Sequence, residues 1–325
     1  MKSPSADELP DITRDDRSLV LGIDIGGTKT AAGVVTADGH ALSFHAQPTP
    51  QDADSGALLD FVVAVAERAL DGYRGQAVAA GVGCGGPMIY PDGIVSPLFI
   101  PSWQSFPLRE RLAAALGLPV TLDNDANAFA LGEALFGAGR GTRCMLGIVV
   151  STGVGGGIVV DGRVFHGATG NAGHIGHTIV SAEGPRCSCG AIGCLTAYAS
   201  GTGLVARARA GIDDGIATRL AALPDGALTG EAIVQAAGSG DAFAQELMRD
   251  AGVALARGIV DAANLLDLER VVLGGGLTQA GEMLLAPLRA EVRDRARLPF
   301  TRHLDIRLAS AGREAGVIGA AALCL

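Results

Sequence analysis

Aromatic residues and long apolar runs are the features that this sequence most clearly lacks. Aromatic side chains make up 4% of the 325 residues, so the core must be built mainly from Ala, Val, Leu and Ile. No apolar run approaches the roughly 20 residues that a membrane-spanning helix needs. No charged segment leads into an apolar stretch near the N-terminus, as it does in a secretory signal. The sequence therefore predicts a cytoplasmic protein with reduced cysteines and no membrane partner.

Positive charge is also scarce. The net charge is −9 at pH 7, which argues against nucleic acid and anionic membranes as partners. ATP is not excluded by this charge, because a local binding site can still be positive. Residues 1–17 are polar and highly charged, so they predict a disordered arm, too short for a helix-turn-helix domain.

Glycine, by contrast, is abundant, with 48 residues that cluster after apolar runs. The chain is long enough for two domains, and strand and helix patterns mix along it, which predicts an α/β fold. Alternating apolar residues predict three strands joined by hairpins over 18–47. The other predicted strands cover 77–84, 119–125, 270–277 and 303–310, and the predicted helices cover 57–70, 107–116, 126–136, 241–266, 284–296 and 314–325.

The strand–loop–strand pattern at the start of the chain is repeated in its middle. When Leu21–Ile23 is placed on Leu146–Ile148, Val34–Val35 falls on Val159–Val160 without a gap. Apolar strands can agree by chance, but the loop lengths match and an Asp-Gly turn follows in both copies. We therefore predict an internal duplication that gives two related domains.

The first of these loops, DIGGTKT, has the composition of a phosphate-binding turn. Its glycines allow backbone N–H groups to approach phosphate oxygens, and its threonine adds a hydroxyl donor. An ordinary hairpin turn is the simplest alternative. A P-loop is a poor match, because the second glycine precedes threonine instead of lysine and no helix pattern follows. The candidate ATP-binding residues are Gly26, Gly27, Thr28 and Lys29, with Asp24 as a candidate partner of hydrated Mg²⁺.

Two other glycine turns are candidate nucleotide contacts. STGVGGG occupies the equivalent place in the second repeat, and two such hairpins could hold one triphosphate across a cleft. Its candidate ATP-binding residues are Thr152, Gly153 and Gly155. A Gly-rich turn at 274–276 follows an apolar strand and could simply precede a helix. A Gly-x-Gly-x-x-Gly match ending at Gly86 is rejected as a dinucleotide site, because Pro87 and a turn follow it.

The segment DNDAN at 123–127 places several polar residues at the start of a predicted helix. One of them could simply cap the helix, but a cap needs only one such residue. The helix dipole favours an ionised Asp125. Such a carboxylate can accept the proton of a sugar hydroxyl as that hydroxyl attacks phosphorus.

One glycine-rich stretch carries the residues of a tetrahedral metal site. His177, Cys187, Cys189 and Cys194 fall within eighteen residues, which is the one-imidazole, three-thiolate set of structural zinc. Buried free cysteines are the alternative, but three cysteines within eight residues make it the weaker interpretation. Because all four positions would be protein ligands, the zinc is expected to be structural.

The segment GNAGHIGH, followed by this His and Cys pattern, resembles the ROK family of sugar kinases and repressors. The resemblance covers nearly all of Leu19–Leu325, but it departs from the family at two positions. His174 and Thr196 stand where the family usually has glutamates that contact sugar hydroxyls. By resemblance, Asp125 is the catalytic base and Gly275 and Gly276 lie at adenosine. The substrate-binding residues implied are Asn124, Gly86, Asn171, His174, His177 and Thr196.

The resemblance also implies the architecture and the reaction. The fold would be a duplicated actin/hexokinase-like (ribonuclease H-like) α/β fold, with two domains around a cleft. The smaller domain is expected at 18–136 plus 312–325, and the larger, zinc-binding domain at 137–311. The implied reaction is ATP- and Mg²⁺-dependent phosphorylation of the terminal 6-hydroxyl of a hexose, in a homo-oligomer such as a dimer.

The expected substrate is N-acetylmannosamine, because the segment AGHIGHT looks like kinases of that sugar. A histidine N–H can also donate to an acetamido carbonyl, which a carboxylate cannot do. Thr196 weakens this inference, so glucose, another amino sugar or a cyclitol remains open. A catalytically silent sugar-binding or regulatory protein is the alternative from another class.

Overall fold

The computed structural model describes residues 18–224 and 226–325, so the predicted arm at 1–17 lies outside the described residues. Strands β1 to β13 cover Leu19–Ile25, Lys29–Thr36, His45–Pro48, Ala77–Cys84, Met88–Ile89, Ile94–Val95, Phe106–Pro107, Val120–Asn124, Cys144–Val150, Val154–Val160, Arg163–Val164, Arg270–Gly274 and Asp305–Leu308. Helices α1 to α9 cover Ser55–Leu70, Leu108–Leu116, Asp125–Leu135, Leu195–Ala199, Gly201–Asp213, Gly230–Gly238, Ala242–Leu266, Glu282–Arg295 and Ala315–Ala322.

Polar caps set where the helices begin. Asp54 precedes α1, and its carboxylate accepts from the amides of Gly56 and Ala57, so the helix starts two residues before the predicted position. Asp241 caps the 25-residue helix α7 and accepts from the amide of Ala244 at 2.9 Å. The predicted strands and helices are thus confirmed, with differences of a few residues at their ends.

Two five-stranded sheets share one topology. The first has the order β3-β2-β1-β4-β8, in which β1 pairs antiparallel with β2 and parallel with β4. The second has the order β11-β10-β9-β12-β13, with antiparallel β10–β11 pairing and parallel β9–β12 and β12–β13 pairing. The shared order is what the predicted duplication requires. A small antiparallel sheet, β5-β6-β7, is separate from both.

Helix α9 lies directly on the first sheet because glycines remove side chains from the contact. A Cβ atom on Gly81 of β4 would clash with the carbonyl oxygen of Ala320, and one on Gly22 of β1 would clash with that of Val317. The helix is apolar on all sides, and its residues from Val317 to Ala322 are buried, as predicted for this segment. It therefore forms part of the core of this sheet.

The chain divides into two compact units. The first contains the described residues up to Gly141, together with Gly157–Ala172 and Ala309–Leu325; the second contains Thr142–Gly156 and Gly173–Leu308. The predicted domain boundaries at 136/137 and 311/312 stay a prediction. The observed units differ from the predicted domains chiefly in the segment 157–172. This segment belongs to the first unit, because β11 packs on α3.

The described residues include a large apolar core and no helix with the length and apolar character to span a membrane. In the first unit, side chains of β1 such as Ile23 and Ile25 pack with the buried face of α1. The single tryptophan, Trp103, is fully buried, and its indole N–H donates to the Ser55 carbonyl at 3.2 Å. This packing fixes the first sheet, whose strand ends carry predicted site residues such as Asp24 and Asn124.

Candidate active site

Polar residues converge at the carboxyl ends of three parallel strands in the first unit. Asp24 of β1 lies in register with Gly83 of β4, which lies in register with Asp123 of β8. Since parallel strands end at the same edge of a sheet, the turns that follow them meet there. The predicted residues brought to this edge are Asp24, Gly26, Gly27, Gly86, Asn124 and Asp125.

Asp125 is the first residue of α3 and is exposed, whereas its neighbours Asp123 and Ala126 are buried. The side chain of Asn124 caps the helix, because its Oδ1 accepts from the Ala126 amide at 3.0 Å. Asp125 Oδ1 accepts from the same amide at 2.9 Å. The helix start therefore fixes the direction of a carboxylate that solvent and ligands can reach. A Cβ atom on Gly86 would lie 3.2 Å from the side-chain nitrogen Nδ2 of Asn124.

Asp24 occupies a different environment from Asp125. Burial, and the nearby Asp125 carboxylate, raise the pKa of Asp24 from 3.8 to about 7, although Lys29 acts to lower it. Burial, with the same two carboxylates, raises the pKa of the neighbouring Cys84 thiol. This corner of the site thus has an excess of negative charge, which a bound cation would relieve.

The turn between β1 and β2 is held by hydrogen bonds to its carbonyl groups. The Gly26 carbonyl accepts from the Thr49 hydroxyl at 2.8 Å, and the Gly27 carbonyl accepts from the Gln51 side-chain amide at 2.6 Å. The Gly26 amide donates across the turn to the Lys29 carbonyl at 3.0 Å. Thr28 and Lys29 are exposed at the turn. These bonds fix the carbonyl groups of the turn, and the side chains of Thr28 and Lys29 remain accessible.

A buried polar network in the first unit was missed by the sequence analysis. His166 Nε2 lies 2.6 Å from Asp123 Oδ2, and Asp123 Oδ1 accepts from the Asn124 amide and the Asn127 side chain. The Tyr90 ring stacks on His166 with centroids 3.9 Å apart. The network therefore ties the start of α3 to the segment 157–172. That segment also carries the predicted Asn171, whose side chain donates to the Thr169 carbonyl.

In the second unit, the predicted loop STGVGGG is attached to the start of α5. Its Ser151 carbonyl accepts from the Gly201 amide at 2.8 Å. Its Thr152 carbonyl accepts from the Thr202 amide and hydroxyl at 3.2 and 2.9 Å. At the start of β10, the Val154 amide donates to the Thr196 hydroxyl at 3.2 Å. The loop is therefore held at both ends, with Gly153 at its turn and Gly155 in β10.

The predicted adenosine turn is also in the second unit. Gly275 follows β12 and packs so closely on the end of β9 that a Cβ atom would clash with the Val150 carbonyl. Gly276, in contrast, has open space where a side chain would be. Since Ser151 directly follows Val150, the structure brings the Gly275–Gly276 turn next to the STGVGGG loop.

The four predicted metal ligands come together in the second unit. The ligand atoms of His177, Cys187, Cys189 and Cys194 all lie within 4.8 Å of one another. The Cys189 and Cys194 sulfurs are 3.6 Å apart, and the Cys187 sulfur is 3.8 Å from His177 Nδ1. Zn–S bonds of about 2.3 Å place tetrahedral ligands about 3.8 Å apart, so the donor set and its spacing fit zinc.

His174 precedes one short 3₁₀ turn at Ile175–His177 and His177 ends it, but the two side chains have different surroundings. His177 turns its Nδ1 towards the cysteines, whereas His174 is exposed. Their ring centroids are 6.5 Å apart. A metal bound at His177 would therefore fix the turn that carries the exposed His174 ring.

Comparison with known proteins identifies the family. The sequence model of the ROK family matches residues 20–325. The chain belongs to the ROK family. A glucokinase of Halalkalibacterium halodurans is 37% identical over 306 residues, covering 92% of each chain. An N-acetylmannosamine kinase of Shigella boydii is also 37% identical, over 93% of this chain and 97% of its own.

A solved ROK structure agrees in fold. The ROK family glucokinase from Streptomyces griseus, in complex with glucose and AMPPNP, has a TM-score of 0.80 and 35% identity. The match covers 94% of this chain and 99% of that one. The predicted duplicated actin/hexokinase-like fold is thereby confirmed, and this ROK protein is a sugar kinase.

Proposed function

We propose that this ROK protein transfers the terminal phosphoryl group of ATP to the 6-hydroxyl of a hexose, with N-acetylmannosamine as the preferred acceptor. The observation that carries the proposal is the exposed Asp125 carboxylate, fixed at the start of α3 beside the capping Asn124. A helix start stabilises the ionised form that a general base needs. The ATP-analogue complex of the Streptomyces griseus relative supports ATP as the donor.

In the proposed reaction, Asp125 accepts the proton of the sugar hydroxyl. The hydroxyl oxygen forms a bond to the terminal phosphorus of ATP, the bond from phosphorus to the bridging oxygen breaks, and ADP leaves. Asn124 uses its side-chain oxygen for the helix cap, so its amide N–H groups are the ones suited to a sugar oxygen. Asp125 thus supplies the base, and Asn124 supplies orientation.

The glycine turns are proposed to hold the phosphates, because such transfer depends mainly on positioning and charge stabilisation. Thr28 and Lys29 offer a hydroxyl and a cation at an exposed turn. In the second unit, Thr152 and Gly153 lie in a loop whose carbonyl groups accept hydrogen bonds from Gly201 and Thr202. Mg²⁺, when bound, would neutralise charge on the transferring group, and Asp24 is the carboxylate suited to hold its hydration shell.

The cluster of His177, Cys187, Cys189 and Cys194 is proposed to hold a structural zinc ion. All four positions of a tetrahedral ion would be filled by protein atoms, which leaves no position for a reacting water. The zinc would hold the loop that presents His174. The zinc would keep this loop ordered and would have no chemical role in phosphoryl transfer.

His174 is the residue proposed to select the sugar. It is exposed at the start of the turn that ends at the candidate metal ligand His177. An imidazole N–H can donate to the carbonyl of a C2-acetamido group, whereas a carboxylate can only accept. Glucokinase is the second candidate, because the glucokinase of Halalkalibacterium halodurans and the N-acetylmannosamine kinase of Shigella boydii are each 37% identical to this chain.

A coupled assay of ADP release over a panel of sugars tests the proposal. The panel contains N-acetylmannosamine, N-acetylglucosamine, glucose, mannose and a cyclitol, and each product is located by NMR to show which hydroxyl carries phosphate. The highest kcat/KM is expected for N-acetylmannosamine. A higher kcat/KM for glucose would favour the assignment as a glucokinase, and the absence of sugar-dependent ADP release would favour a catalytically silent sugar-binding protein.

The cytoplasmic location and the homodimer that the sequence predicts stay predictions.

A further inference from the structure

Thr196 is attached to the STGVGGG loop through the first residue of β10. Its hydroxyl oxygen accepts from the Val154 amide at 3.2 Å, in a half-buried position. The resemblance to the ROK family implies that Thr196 contacts the sugar, because it stands where the family usually has a glutamate. The observed bond instead connects Thr196 with the residue that directly follows the turn at Ser151–Gly153.

The other side of Val154 is held by Gly176, in the short turn that ends at His177. A Cβ atom on Gly176 would clash with the Val154 carbonyl, and one on Gly156 would lie 2.7 Å from the Gly173 carbonyl. Val154 is therefore fixed at its amide by Thr196 and at its carbonyl by close backbone packing. The two contacts come from residues that closely flank the segment containing the cysteine and histidine cluster, Gly176 before it and Thr196 after it.

One continuous segment provides these bonds to the loop. Cys194 precedes α4, Thr196 lies in its first turn, and Ser200 caps α5 directly after α4. Gly201 and Thr202 then donate to the carbonyls of Ser151 and Thr152. A chain of nine residues, from Cys194 to Thr202, thus holds the loop from the start of its turn to the start of β10.

We propose that Thr196 is a positioning residue for the triphosphate of the nucleotide, which acts through Val154 on the direction of the backbone N–H groups of the STGVGGG loop. This inference rests on the proposed role of that loop in phosphate binding. Backbone N–H groups bind phosphate only when they point at it, and their direction follows that of the chain. Loss of the Val154 bond therefore weakens nucleotide binding and leaves sugar binding unchanged.

Thr196→Val tests this directly, because valine keeps the shape of threonine and removes the acceptor oxygen. We expect the KM for ATP at saturating sugar to rise by about tenfold, the equivalent of one lost hydrogen bond of about 1.4 kcal/mol. The KM for sugar should stay within about twofold of wild type. Thr196→Ser keeps the oxygen and should restore the KM for ATP. Zinc content and sugar affinity by calorimetry should match wild type in both variants.

Thr196→Ala is the second variant, since it also removes the oxygen and its smaller side chain cannot clash with neighbouring groups, and the same rise in the KM for ATP is expected. An unchanged KM for ATP in folded Thr196→Val or Thr196→Ala overturns the inference. A rise confined to the KM for sugar overturns it too, and assigns Thr196 to the sugar. A wild-type protein without sugar-dependent ADP release is a separate result, because it refutes the proposed function itself.

Discussion

The proposed role of the exposed Asp125 carboxylate as the base can be tested with a variant that removes its charge and keeps its shape. Asp125→Asn should lower kcat by about 10²–10⁴-fold, because the amide cannot accept the proton of the attacking hydroxyl. Sugar affinity, measured by calorimetry, should change little. Asp52→Asn, an exposed aspartate of the first unit, is the matched control and should keep full activity. Near-normal turnover in Asp125→Asn would remove Asp125 from the mechanism.

Asp24 should make the stability of the nucleotide-free protein depend on pH. Burial and Asp125 raise its folded-state pKa to about 7, from 3.8. The folded state thus binds a proton that the unfolded chain has already released, so this contribution is complete below about pH 4 and is lost as the pH rises through 7. Asp24→Asn removes the ionisable group, so at pH 8 the variant should be more stable than wild type, by up to about 4 kcal/mol.

Urea unfolding of both proteins between about pH 4 and pH 8 measures this effect. The advantage of Asp24→Asn should shrink steadily as the pH falls. A difference in unfolding free energy that is the same at every pH would show that Asp24 is not the group responsible. Asp52→Asn again provides the comparison, because its side chain is exposed.

His174 is the residue at which sugar selectivity should change. His174→Glu replaces a ring that can donate with a carboxylate that can only accept, so it should favour glucose over N-acetylmannosamine. The expected change in relative kcat/KM corresponds to about 1–3 kcal/mol, or one to two hydrogen bonds. Steady-state kinetics with both sugars measure it. If the wild type prefers glucose and the variant keeps the same ratio, His174 does not contact the group at C2.

Among the elements, the segment from His177 to Cys194 should bind one zinc ion per chain. Elemental analysis of protein purified without chelators should find it, and EDTA should remove it only slowly, because the four ligands enclose the ion. Cys189→Ser should lower both the zinc content and the melting temperature. Cys324→Ser, outside the cluster, should keep the zinc. A zinc-free wild type would refute the assignment.

The elements themselves could largely be predicted from the sequence, because apolar spacing and caps are local signals. Asp54 and Asp241, for example, start α1 and α7 by bonding to amides two or three residues away. The Asp123–His166 pair could not be predicted in this way. Its members are 43 residues apart, and only the folded chain brings them together.

The residues of the candidate site follow the same division. The clustering of the candidate metal ligands could be predicted because His177 and the three cysteines are close in sequence. The environment of Thr196 could not, since its bond to Val154 spans 42 residues. The resemblance to the ROK family assigns to Thr196 the sugar-binding role that is usual at its position. It does not show that the shorter side chain of Thr196 bonds to the Val154 amide instead.

For the molecule as a whole, the first unit depends on close backbone packing between β4 and α9. Gly81→Ala should lower the free energy of unfolding by about 3 kcal/mol, because the added methyl group would collide with the Ala320 carbonyl. Gly75→Ala is the matched control, since nothing lies within 4 Å of the position of its added methyl group. Urea unfolding of the two variants measures the difference. Equal stability would show that α9 can shift without cost.

The position of α9 also bears on how the protein is made in the cell. The strands β1 and β4 leave the ribosome early, whereas the helix that covers them is translated after all the other described elements. Until then, the face of the sheet that carries Val20 and Val35 has no apolar partner from α9. Nascent chains with such uncovered surfaces are prone to aggregate. Synthesis should therefore benefit from chaperones that shield the first sheet, and slow translation of the codons for α9 should lower the yield.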